Sequence, residues 1–220
     1  MDRKTQAFAA AQRIIDAIWD AGFDDLRDIM NVQMGMVPDF IQWQAGATRL
    51  VIWDDECDYV VKVALDHWDE KYNKHEVEVY AEAEKAGFSD MFGWCAQYTE
   101  GHGEKETFVP GVYVMEFLDG CEDEVIDSAY SLKYDWFCEQ NGLDPSDFDS
   151  RDKYAEYKSG DGYQEDDEEI MELLTEGMSV SETYDFNSFI YEHEVNDIHS
   201  GNILMKNGRF AFCDYAGYGW

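Results

Sequence analysis

Positive charge is scarce in this sequence: 16 lysines and arginines stand against 49 aspartates and glutamates, a formal net charge of −33 over 220 residues. A surface of that sign repels nucleic-acid backbones and anionic membranes at long range, so neither is an expected direct partner. It attracts cationic small molecules, basic proteins and divalent cations instead. Proline is rare, at 3, and the five cysteines (Cys57, Cys95, Cys121, Cys138, Cys213) stand singly with no Cys-x-x-Cys pair. An odd, unpaired set argues against a disulfide framework or a zinc site, and a reducing cytoplasm is the expected compartment. No apolar run reaches membrane-spanning length. The polar N-terminus, Met-Asp-Arg-Lys-Thr-Gln, is unlike a signal peptide.

Enough apolar material is present for a sizeable core. Hydrophobic residues make up 45% of the chain, with 13 Phe, 14 Tyr and 7 Trp, which argues against disorder. The length fits one domain, or one two-lobed domain. Residues 4–21 predict an amphipathic helix with Phe8, Ala11, Ile14, Ile15, Ile18 and Trp19 at helical spacing, ended by Gly22. A second short helix follows Asp24. Alternating or β-branched runs predict strands at Phe40–Gln44, Arg49–Trp53, Tyr59–Leu65, Trp94–Thr99 and Val112–Phe117, with a helix from about Asn73 to Ala86 stopped by Gly87. The second half reads as helical. A long helix spans Glu122–Gln140, with Val125, Ile126, Ala129, Leu132, Trp136 and Phe137 inward, and shorter ones span Glu169–Leu174 and Tyr184–Glu192. Residues 144–168, polar and acidic, read as a surface loop or mobile insertion.

Lys62 lies inside the apolar run Tyr59-Val60-Val61-Lys62-Val63-Ala64-Leu65. An ammonium on a buried strand face is costly without a carboxylate beside it. By alternation Lys62 shares its face with Val60 and Ala64. It is either an edge lysine whose amine reaches water, or one half of a buried ion pair. The following helix offers the other half: Glu76 and Tyr80, four apart, share a face, so an inward Tyr80 turns Glu76 toward the sheet. Glu82 is a weaker rival.

Near the C-terminus, Asp197-Ile198-His199-Ser200-Gly201-Asn202-Ile203-Leu204 precedes Asn207-Gly208 and Phe210-Ala211-Phe212-Cys213-Asp214. Asn-Gly between two apolar runs is a strong hairpin signal. Such a hairpin brings Asn202 and Asp214 to one end, where an amide oxygen and a carboxylate are the hard donors magnesium prefers. Taken singly, the same residues could cap turns, and Asp197 could be a surface acid.

The pattern Asp-x-His-x-Gly-Asn-Ile-Leu, a hairpin and then Asp resembles the catalytic and metal-binding segments of the protein-kinase-like superfamily. It is most similar to the aminoglycoside and small-molecule phosphotransferase branch. The resemblance covers roughly residues 38–220. It implies an α+β, two-lobed fold: a five-stranded antiparallel sheet with one helix in the N-lobe and a reduced, mainly helical C-lobe. The expected divisions are a helical extension at 1–37, an N-lobe at 38–119 and a C-lobe at 120–220. The resemblance implies ATP and magnesium as cofactors. Asp197 would be the catalytic aspartate, with His199 where protein kinases place a phosphate-contacting lysine. Asn202 and Asp214 would be magnesium ligands. Lys62 would hold the α- and β-phosphates with Glu76 as its helix partner, and Gly46 and Val60 would lie beside the nucleotide. Met115 in Val112–Gly120 would be the gatekeeper, and the backbone of Glu116–Leu118 would meet the adenine edge.

Several positions depart from that pattern. The glycine-rich loop is reduced to Gly46 between alanines, the HRD motif reads Val195-Asn196-Asp197, and the DFG motif reads Asp214-Tyr215-Ala216. The sequence ends at Trp220, shortly after this segment, so it reads as a truncated form in which residues 120–190 would supply any acceptor site. The expected function is ATP- and magnesium-dependent transfer of a γ-phosphoryl group to a hydroxyl of a small molecule or protein. Two alternatives are a pseudokinase-like binding module with little or no activity, and an acidic charge mimic that inhibits a basic nucleic-acid-binding partner.

Overall fold

The computed structural model describes residues 2–31, 36–56, 58–100, 107–120, 122–158, 167–196 and 198–215. It divides into two compact units, Met1–Leu118 and Asp119–Trp220.

In the first unit, helix α1 (Arg3–Asp20) starts on Asp2. The Asp2 carboxylate accepts the Thr5 backbone N–H at 2.9 Å and the Thr5 hydroxyl at 2.8 Å. These bonds hold the carboxyl below its ordinary range, because they favour the ionised form. Ala7, Ala11, Ile14, Ile15 and Ile18 are buried at helical spacing, while Trp19, expected on that face, is 43% exposed. A 3₁₀ turn at Leu26–Asn31 replaces the expected second helix.

Five strands follow: β1 (Ile41–Ala45), β2 (Arg49–Asp54), β3 (Tyr59–Ala64), β4 (Cys95–Glu100) and β5 (Thr107–Glu116). They form one antiparallel sheet in the order β1-β2-β3-β5-β4, with helix α2 (Glu70–Ala86) inserted between β3 and β4. This is the α+β architecture, with its five-stranded antiparallel sheet and single inserted helix, that the sequence implied.

Alternation gives the sheet two chemically different faces. Leu50, Ile52, Val61, Val63, Val112 and Val114 share a core with α1. On that same side Arg13 of α1 pairs with Asp54 at 3.0 Å, and Arg3 pairs with Glu116. The other parity carries Lys62, Ala64, Tyr113 and Met115, and it is here that α2 sits. α2 ends at Gly87, whose φ of 86° is the left-handed conformation of a helix stop. The Phe88 N–H then closes back on the Ala83 carbonyl at 2.7 Å.

The second unit holds α3 (Glu122–Asn141), α4 (Phe148–Lys158), α5 (Asp167–Leu174), α6 (Val180–Glu192) and a two-stranded hairpin, β6 (Ile203–Lys206) and β7 (Arg209–Phe212). The acidic stretch expected to be a loop is helical over α4. Ser150, Tyr154 and the half-buried Tyr157 recur at spacings of four and three, and Tyr154 packs with Tyr134, Phe137 and Cys138 of α3. Residues 159–166 of that stretch lie outside the described residues. On α3, Tyr134, Phe137 and Cys138 point inward, whereas Trp136, expected inward, is 49% exposed. The side chains of Val125, Ile126 and Ala129 lie outside the described residues. α6 begins four residues earlier than the apolar pattern suggests. Ser179 and Glu182 form a capping box in which the Ser179 hydroxyl accepts the Glu182 N–H and the Glu182 carboxylate accepts the Ser179 N–H.

The hairpin turn is Asn207-Gly208, with φ of 52° and 78°. Two successive left-handed residues make the type I′ geometry that matches strand twist. No helix among the described residues is long and apolar enough to cross a membrane. Replacing Gly208 places a Cβ on a left-handed backbone. Gly208→Ala is expected to destabilise the chain by about 1 kcal/mol in urea unfolding, whereas Asn207→Gly should cost much less.

Candidate functional site

Lys62 and Glu76 meet. The Lys62 ammonium donates to Glu76 Oε2 at 3.0 Å and to Oε1 at 3.2 Å, with Lys62 only 4% and Glu76 only 2% exposed. The edge-lysine alternative therefore falls, because β3 lies inside the sheet between β2 and β5. Helical spacing brings Glu76 there, since α2 turns Asn73, Glu76, Val79, Tyr80 and Ala83 inward. The rival, Glu82, pairs with Lys85 of its own helix at 2.7 Å.

A third side chain joins them that the sequence reading missed. Arg49, the first residue of β2, donates from Nη1 to Glu76 Oε1 at 2.8 Å and is 5% exposed. The available signal was parity. Arg49 sits opposite Ala64, and Lys62 opposite Val51, so Arg49 shares the Lys62 face of the sheet. The same face is well desolvated: Tyr113, the partner of Lys62 on β5, has its phenol pushed up to about 12, chiefly by burial.

The other expected nucleotide contacts of this unit fall at known places. Met115 is 1% exposed and lies opposite Val60, which is also buried, on the Lys62 face. Of the expected hinge amides, Glu116 N–H is taken by the Trp94 carbonyl and Phe117 N–H by the Asp58 carbonyl, each at 2.8 Å. No hydrogen bond of the Leu118 N–H falls among the described residues. The Glu116 carboxylate turns to Arg3 and the Trp94 N–H on the α1 side of the sheet. Gly46 closes the β1–β2 turn, donating to the Arg49 carbonyl at 2.8 Å. A Cβ at Gly46 would meet its nearest atom at an ordinary 3.6 Å, so the turn makes no use of its glycine.

In the second unit the β6–β7 ladder, which pairs Ile203 with Phe212, extends one step further: the Cys213 N–H donates to the Asn202 carbonyl at 2.9 Å. This fixes Asn202 beside the residue that precedes Asp214, so the two expected magnesium ligands stand at one end of the hairpin. Asn202 is buried and Asp214 half-buried. Their amide and carboxylate oxygens are the hard donors that suit magnesium, which needs few protein ligands when phosphate oxygens and water complete its octahedron. No group of three or more His, Cys, Asp or Glu among the described residues could hold a metal by itself. Exposed His199 accepts the Gly201 N–H on Nδ1 at 3.1 Å, which assigns the neutral ring's proton to Nε2. A Cβ on Gly201 would lie 3.1 Å from the His199 ring, so this glycine, unlike Gly46, is needed for close approach. Asp197, the expected catalytic aspartate, lies outside the described residues, as do Ala216 and Gly217.

No family model and no curated protein matches the chain. Among solved structures, it is similar to aminoglycoside phosphotransferase APH(2″)-IIa in its ternary complex with streptomycin and ATP. Identity is 16% over 89% of this chain and 71% of that one, with a TM-score of 0.39. It is also similar to ADP-bound aminoglycoside phosphotransferase APH(2″)-Ib, at 15% identity over 87% of this chain and 70% of that one, with a TM-score of 0.38. At that overlap neither neighbour says what this chain does.

Removing Glu76 takes away a buried carboxylate that both Lys62 and Arg49 bond. Glu76→Ala is expected to cost about 3–5 kcal/mol in urea unfolding. Gly46→Ala is expected to change stability by less than about 0.5 kcal/mol in the same assay.

Proposed function

We propose that this chain is an ATP- and magnesium-dependent phosphotransferase that moves the γ-phosphoryl group to a hydroxyl acceptor. The observation that carries the reading is the buried Lys62–Glu76 pair. Holding an ammonium inside a sheet has little structural benefit over an apolar residue of similar volume, which makes a functional cation the better explanation. The hairpin that sets Asn202 next to Cys213-Asp214 supports it independently.

In this reading Lys62 orients the α- and β-phosphates, and the adenine edge is met by the Glu116 carbonyl and the Leu118 N–H. Asn202 and Asp214 hold magnesium, which would supply charge neutralisation on the β- and γ-phosphates. His199 Nε2–H donates to a γ-phosphate oxygen. Asp197 orients the acceptor hydroxyl and receives its proton as the acceptor oxygen bonds to phosphorus and the bond from phosphorus to the ADP oxygen breaks. The chain's task is positioning and electrostatics, since phosphoryl transfer asks for little else. With a net charge of −33, the surface steers cationic acceptors inward, so amine-rich small molecules and basic proteins are the acceptor classes to try first.

One observation favours a second reading, a nucleotide-binding module without transfer. The Gly46 turn is an ordinary hairpin closure that exploits no glycine conformation, so phosphate cradling by its amides is thin.

Two variants separate the roles. Asp214→Ala is expected to abolish magnesium-dependent ATP binding, read as loss of the ATP-induced rise in melting temperature. Asp197→Ala is expected to keep that rise and lose phosphoryl transfer from labelled ATP to an aminoglycoside and basic-protein panel. An Asp214→Ala protein that binds magnesium–ATP like the parent contradicts the assignment, and a parent that binds but never transfers selects the second reading.

A further inference from the structure

Lys62 holds Glu76 through both carboxylate oxygens at nearly equal distances, 3.0 and 3.2 Å. A single ammonium is a point charge and does little to fix the rotation of the carboxylate plane, whose terminal torsion is soft. Arg49 supplies what is missing. Its guanidinium bonds Oε1 at 2.8 Å from a different strand. Glu76 is thereby tied to β2 and β3 at once. The three charged groups are buried together, so their mutual attraction is little screened.

Arg49 has a second engagement. Its backbone carbonyl accepts the Gly46 N–H and closes the β1–β2 turn. The residue that shapes this turn through its backbone therefore holds Glu76 through its side chain. Sharing Glu76 between two cations also leaves the Lys62 ammonium less neutralised by that carboxylate than a one-to-one pair would, which strengthens its pull on a phosphate.

We propose that Arg49 is a positioning residue that holds Glu76, and through it Lys62, ready for the phosphates of the nucleotide, so that this half of the machinery is preassembled and is not switched by movement of α2. The inference rests on the phosphotransferase reading above. Arg49 touches the carboxylate and acts on the nucleotide through Lys62. Its loss leaves Glu76 still bonded to Lys62, so a variant at this position keeps the buried ion pair and is expected to fold.

The test compares magnesium–ATP with adenosine, which carries the base and sugar but no phosphate, by calorimetric titration of the full chain. Arg49→Met is expected to weaken magnesium–ATP about tenfold and leave adenosine unchanged, whereas Arg49→Lys, which keeps the charge, is expected to stay within about threefold of the parent for ATP. A general loosening of the unit would weaken both ligands together. Equal losses for ATP and adenosine, or no loss for either, overturn the role. If Arg49→Met does not fold, Arg49→Lys decides alone: parallel loss of both ligands overturns the role, and a selective, small loss of ATP supports it. A parent that binds no ATP sinks the phosphotransferase reading and this role with it. A parent that binds ATP alongside either overturning result sinks the Arg49 role only.

Discussion

A lysine ammonium buried in the middle of a five-stranded sheet is tolerable only if a carboxylate is delivered to it. That requirement organises the first unit. It fixes which face of the sheet α2 covers, because Glu76 must reach the Lys62 side, and it fixes the rotation of α2 about its own axis, because Asn73, Val79, Tyr80 and Ala83 then follow Glu76 inward. α1 takes the opposite, apolar parity of the strands, where Arg13–Asp54 and Arg3–Glu116 anchor its polar positions. A sheet with two such unlike faces has a single register that satisfies both, since a slip by one residue would exchange Lys62 for Val61 or Val63.

The Lys62–Glu76 contact was legible because it depends on two periodicities alone, alternation along β3 and a helical repeat along α2. The β6–β7 hairpin was legible because Asn207-Gly208 is a local signal of unusual strength, and both residues adopt the left-handed conformation it requires. Arg49 was not legible in the same way: its partner lies on a helix 27 positions away, and an arginine opening a strand looks like an ordinary strand end. α4 was hidden because its inward side carries few apolar residues, Tyr154 and the half-buried Tyr157 beside Ser150, among many charged ones, so composition suggested a loop where spacing allowed a helix. Trp19 and Trp136 were placed inward on hydrophobicity, yet a large ring beside a buried stripe can remain half in water without penalty to the core. The start of α6 was missed because Ser179 and Glu182 encode it through hydrogen bonds and not through apolar pattern.

The two glycines near the proposed chemistry divide by what a Cβ would do. Gly201 is pressed against His199, whose ring it orients through a backbone N–H, so its lack of a side chain is used. Gly46 has room, and its turn is closed by an ordinary hydrogen bond to Arg49. Side-chain cations stand on the sheet face that α2 covers, in a chain whose charge is otherwise overwhelmingly negative. Cations are few here, and two of them are placed on one buried carboxylate.

If Lys62 is the cation that meets the nucleotide phosphates, it is the lysine that a reactive nucleotide finds. An acyl-phosphate derivative of ATP, which transfers its acyl group to whichever lysine lies against the phosphates, tests it directly when the labelled peptide is identified by mass spectrometry. The account predicts modification at Lys62, suppressed by magnesium–ATP. Modification confined to exposed lysines such as Lys74 or Lys85, unaffected by ATP, would contradict it.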